Sequence, residues 1–135
     1  MSSAYYFALA AILAVIPILL IFKVNIEKIK ENPSDVGSAQ TKFFIGVAIA
    51  EVIPIILIVL GLMDLTPASS IEELYIPGLI VILCMVFAPF FILLQRSVGV
   101  PEEAKQKVTT FSMIAWAMVN AIPFISIVGL LLILP

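Results

Sequence analysis

Glu51 lies inside the apolar run Phe43-Phe44-Ile45-Gly46-Val47-Ala48-Ile49-Ala50-Glu51-Val52-Ile53-Pro54-Ile55-Ile56. A carboxylate at the centre of a membrane-length helix costs roughly 3 kcal/mol on insertion scales. Residues of this kind line a pathway or pair inside a bundle. A carboxyl group can also take up and release a proton, which no neighbour in this run can do. What Glu51 binds is therefore the functional question. No catalytic residue, cofactor or metal site is expected; Glu51 is the candidate ion-binding residue. The chain has no histidine, which excludes His-based triads and most catalytic zinc sites. It also has no Gly-rich phosphate loop. Cys84 is the single cysteine and reads as a small hydrophobe in a helix.

The elements that hold Glu51 follow from composition. The 135 residues are 63% hydrophobic and 12% charged, with a mean hydropathy of +1.25. Soluble domains carry about a quarter charged residues. Apolar spans run over 4–22, 43–63, 74–94 and 109–134, each near the roughly 20 residues that cross a bilayer as helix. Four spans and their connections leave no room for a soluble catalytic domain. The first span has no basic residue before it and reads as a retained helix, not a signal peptide. An all-α integral membrane protein follows.

All seven basic residues fall in or beside two connections: Lys23, Lys28, Lys30 and Lys42, then Arg96, Lys105 and Lys107. The connection from Asp64 to Glu73 is acidic. The positive-inside rule makes loops 23–42 and 95–108 cytoplasmic and puts both termini outside a cell membrane. Tyr5, Tyr6 and Tyr75 then lie at the outer interface. The lipid bilayer is one partner. The short loops of mixed charge exclude a nucleic-acid footprint, and the basic side suits anionic headgroups.

The chain also repeats itself. Residues 41–63 align without a gap on 110–132, at an offset of 69. Thr41, Ile45, Ala48, Ile53 and Pro54 meet identical residues. Glu51 falls on Asn120, and Pro54 on Pro123. A polar residue three before a proline is the specific part. The first and third spans echo each other at an offset of 72, with Pro17 on Pro89. The reading is two parallel tandem helical hairpins, over 1–68 and 69–135. Pro54 has no amide proton, so the carbonyl of Ala50 is freed beside Glu51, and Pro123 frees Val119. A neighbour must cover such carbonyls or the helix must bend around them. Alanine stripes on the first span (Ala4, Ala8, Ala11 and Ala10, Ala14) and the pair Gly46, Ala50 suit close packing of helices. Trp116 shares a face with Asn120 and is expected to pack on a neighbouring helix. A symmetric oligomer, with a ring as its leading form, is expected.

The stretch Phe43–Leu57 resembles the second helix of the c subunit of rotary ATP synthases. The duplicated hairpin resembles the proteolipid of vacuolar-type ATPases, in which one hairpin can lose its carboxylate. The resemblance implies that Glu51 carries the ion, that Ala50, Pro54, Asn120 and Pro123 support it, and that Asn120 marks the lost carboxylate. It also implies a non-catalytic subunit with membrane or cytoplasmic partners. Val52 after Glu51, and the absence of a first-span glutamine, point to a proton as the ion. The first span lacks the family's glycine repeat, and the cytoplasmic Arg-Gln-Pro turn is absent. A divergent structural or regulatory protein, with Glu51 as a helix-to-helix hydrogen-bond donor, stays open as an alternative. So does a small independent transporter.

Overall fold

The computed structural model describes residues 2–135. Among them there is no strand. Four helical spans, Ser3–Glu31, Pro33–Met63, Ile71–Ser97 and Glu102–Leu132, are long and apolar enough to cross a membrane. Two are broken. The helices are α1 (Ser3–Glu31), α2 (Val36–Ala50), α3 (Val52–Met63), α4 (Tyr75–Ser97), α5 (Lys105–Val119) and α6 (Ala121–Leu132). Short 3-10 turns precede α2, α4 and α5 at Pro33–Asp35, Ile71–Leu74 and Glu102–Ala104. The protein is a multi-pass, four-span membrane protein built from two helical hairpins.

The repeat is reproduced in the backbone. Adding 69 to the bounds of Pro33–Asp35, Val36–Ala50 and Val52–Met63 gives Glu102–Ala104, Lys105–Val119 and Ala121–Leu132. Both hairpins start from the same end of the bundle. There the Ser3 hydroxyl donates to the Asp64 carbonyl, and the Ala68 amide donates to the Ile133 carbonyl at 2.9 Å. At the opposite end Lys107 Nζ donates to the Pro33 carbonyl at 3.1 Å. The basic residues thus gather at the end away from the termini.

The two stretches read as loops, 23–42 and 95–108, are mostly helix. α1 continues through Glu31, and α2 has begun by Val36. At 29 residues α1 is about 43 Å long, against a hydrocarbon core of about 30 Å. Its final turns leave the apolar layer, which permits Lys23, Glu27, Lys28 and Lys30 there. Lys28 and Lys30 in the last turn complement the negative end of the helix dipole. Ser97, the end of α4, corresponds to Asn25 at the 72 offset, so α1 runs six residues further than its counterpart. The extension is used: Lys30 Nζ donates to the Val98 carbonyl at 2.8 Å. Gly99 follows at φ 65°, where a side chain would be strained.

α1 is the hub and packs on every other helix. Its small residues explain this. Ala4, Ala8, Ala10, Ala11 and Ala14 are all buried, so backbones approach closely on more than one side. In lipid, such packing drives helix association because no hydrophobic gain is available between helices. Phe7 is fully buried, with its ring where Cβ atoms would otherwise stand. A Cβ on Gly61 would lie 2.8 Å from the ring, and one on Gly129 2.6 Å. Gly46 rests on Ile21 of α1 in the same way. Nearer the basic end, Phe22, Phe43 and Phe111 join three spans. The Phe22 and Phe111 rings stack at 5.5 Å, and Phe43 meets Phe111 edge-on at 5.1 Å.

Candidate functional site

Glu51 sits where α2 stops and α3 starts. Its backbone has φ −84° and ψ −7°, against about −63° and −42° in a regular helix. The cause is Pro54. Its ring would press on the carbonyl of Ala50 and it supplies no amide proton, so the chain opens at the residue between them. The break is confined to that point. The Glu51 amide still donates to the Val47 carbonyl at 2.9 Å, and the Ile55 amide to the Glu51 carbonyl at 2.9 Å. The backbone there lies in the bridge region, where many active-site residues are found.

Asn120 occupies the same place between α5 and α6. Its φ −85° and ψ −8° repeat those of Glu51 within a degree, and Pro123 stands three residues on. Its amide donates to the Trp116 carbonyl at 3.3 Å, and the Phe124 amide donates to the Asn120 carbonyl at 3.0 Å. Pro54 and Pro123 are both buried against the bundle, and Ala50 is half-buried.

The side chains differ more than the backbones. The Glu51 carboxyl is half-buried. Its neighbours Ile49, Val52, Ile53 and Ile55 are exposed apolar residues, so Glu51 borders an exposed apolar surface. Asn120 Oδ1 is buried and, among the described residues, has no hydrogen-bond partner. A proton donated by Glu51 therefore does not reach it. The structure groups the site residues as two separate breaks, with Ala50, Glu51 and Pro54 in one hairpin and Asn120 and Pro123 in the other. An orphaned buried acceptor costs about 1–3 kcal/mol.

Two features depart from sequence expectation. Trp116 is not buried between helices. It is 49% exposed and edges a groove between α4 and α5. Ser126 drew no attention in the sequence, yet its fully buried hydroxyl donates to the Phe7 carbonyl of α1 at 2.8 Å. The signal available was a hydroxyl three residues after Pro123, where the first hairpin has Leu57.

A tandem-hairpin membrane protein with a carboxylate at a proline-induced helix break is the class these features define. No family model matches the chain, and no solved structure matches it. It is similar to ATP synthase subunit c of Alkalihalobacillus alcalophilus, with 41% identity over 61 residues, covering 45% of this chain and 86% of that protein. It is also similar to ATP synthase subunit c of Halalkalibacterium halodurans, with 43% identity over 53 residues, covering 39% and 76%. The chain belongs to the ATP synthase subunit c family. Each match spans less than half of this chain, in keeping with a doubled, proteolipid-like architecture.

Proposed function

We propose that this chain is a proton-carrying proteolipid subunit, with Glu51 cycling between protonated and ionised forms inside a ring-shaped homo-oligomer. The observation that carries the reading is the place of Glu51. It is a half-buried carboxyl on a helix break bordered by exposed apolar side chains, in a chain of the subunit c family. A carrier group must be held away from bulk water and still reach a surface where protons exchange. A carboxyl sealed inside the bundle would meet the first demand alone. Ala50 and Pro54 shape the break, while Asn120 and Pro123 keep the same shape in a hairpin with no titrating group. The exposed apolar faces of α3 and α4 are available to lipid and to further copies. Other membrane or cytoplasmic subunits complete the complex. The chain itself performs no catalysis.

Reconstitution into vesicles with an imposed proton gradient tests the role. A carbodiimide, which attacks protonated carboxyls in apolar surroundings, labels Glu51 and loses effect as pH rises. Glu51→Gln retains helical content and assembly but abolishes both labelling and proton flux. Unchanged flux in that variant would rule the carrier role out. Loss of assembly, with no measurable flux in the native protein, would instead give Glu51 a structural role.

The basic end faces the cytoplasm in this reading, and the termini face outward. In a Cys84→Ser background, Ser69→Cys is then labelled by an impermeant thiol reagent from outside only. Labelling confined to the cytoplasmic side would invert the arrangement.

A further inference from the structure

The two hairpins also differ at a groove in the second. Between α4 and α5 a cavity of about 200 Å³ is lined by Pro89, Ile92, Arg96, Ser112, Met113 and Trp116. Its walls are largely apolar and its rim is open, since Met113 is 61% and Trp116 49% exposed. Two polar groups stand in this setting. The Ser112 hydroxyl is 1% exposed and without a partner among the described residues. Arg96 is exposed at the basic end of α4, and the ion pair found among the described residues is Lys30 with Glu27. The guanidinium is thus not neutralised by a carboxylate.

The repeat supplies an internal control. At the offsets of 72 and 69, Arg96 corresponds to Val24 and Ser112 to Phe43. Phe43 is fully buried and packs on Phe22 and Phe111. In the second hairpin the ring is replaced by a small hydroxyl, which opens the groove. An arginine replaces the valine at its mouth. Space, a hydroxyl and a guanidinium therefore come together in one hairpin, where the equivalent positions of the other hold Val24 and Phe43.

We propose that this groove binds an anionic glycerophospholipid, with the phosphate on Arg96 and one acyl chain along Pro89, Ile92 and Trp116. The guanidinium fork suits a phosphate bidentately. Arg96 lies one residue from the end of α4, at headgroup level. Pro89, seven residues earlier, is about 10 Å deeper along the helix. Ser112 stands one turn from Trp116 toward the basic end, on the headgroup side, and its small side chain leaves the groove floor open. A zwitterionic lipid would fill the same space, but its ammonium would compete with Arg96 for the phosphate.

Trp116 is the chain's single tryptophan and borders the groove, so it reports occupancy directly. The protein is reconstituted in phosphatidylcholine containing increasing fractions of acyl-brominated phosphatidylglycerol or acyl-brominated phosphatidylcholine. Brominated phosphatidylglycerol is expected to quench Trp116 at a mole fraction about fivefold lower than brominated phosphatidylcholine. Arg96→Gln abolishes the difference, Arg96→Lys keeps part of it, and Lys23→Gln, which removes one charge near the same end, leaves it intact. Equal quenching by the two lipids in the native protein overturns the proposal. So does loss of the preference in Lys23→Gln, which would assign it to the diffuse field of the basic end. Absence of quenching by either lipid means that another copy of the chain covers Trp116, and overturns it as well.

Discussion

Glu51 and Asn120 share a backbone conformation to within a degree in φ and ψ, yet one can titrate and the other cannot. The break therefore does not depend on the carboxylate. It follows from the proline three residues on, which both hairpins have. The charge is an addition to a form that stands without it. In the first hairpin the break presents a carboxyl beside exposed Ile49, Val52 and Ile53. In the second, the amide oxygen is buried and finds no partner among the described residues. One backbone device thus serves two surfaces, and chemistry enters through the residue placed on it.

The largest effect comes from exchanging that residue. Asn120→Glu adds a carboxyl to a break already shaped for one. A second carbodiimide site per chain is the expected outcome, read by mass spectrometry of the labelled protein. In a Glu51→Gln background, Asn120→Glu leaves one labelled site, now in the second hairpin. If flux returns with it, the hairpins are interchangeable as carriers. If the new carboxyl stays unlabelled, the burial of the Asn120 amide oxygen matters more than the shared backbone. Titration at the break would then be a property of the first hairpin's surface.

The sequence showed the break and the repeat because both rest on local rules. Proline removes one bond wherever it stands in a helix, and the 69-residue offset can be read by alignment. Helix lengths were less legible. Lys23–Glu31 reads as a loop by charge, but a helix end that has left the apolar layer tolerates charges and gains from Lys28 and Lys30 near its C-terminus. The inequality of α1 and α4 was legible only in part, through the alanine stripes on α1 that pack it closely. Both are proline-containing helices at equivalent places, and both are apolar along their membrane-length stretches. Which one becomes the hub depends on where α3 and α6 bring their glycines. The α4–α5 groove lay in a detail that alignment could have exposed, the exchange of Phe43 for Ser112.

The smaller prediction sharpens the contrast between α1 and α4. Phe7 and Leu79 are counterparts at the 72 offset, but Phe7 is fully buried and Leu79 is 56% exposed. Gly61 and Gly129 leave room for the Phe7 ring on two sides, and nearby Ser126 donates to the Phe7 carbonyl. Truncating Phe7 to alanine opens a cavity among α1, α3 and α6 that lipid cannot enter. Between helices in a membrane the hydrophobic transfer contribution is small, so the cavity decides the cost. At roughly 24 cal/mol per Å³, a void of about 100 Å³ costs about 2 kcal/mol. Leu79→Ala removes a side chain that faces outward and should change stability by less than about 0.5 kcal/mol. Denaturation in mixed micelles, followed by helical content, compares the two. Equal costs would mean that α4 is as enclosed as α1 in the membrane, which requires neighbouring copies to cover its face. The size of the Leu79→Ala effect, measured in the monomer and in the assembled state, therefore locates the subunit interface on α4 or away from it.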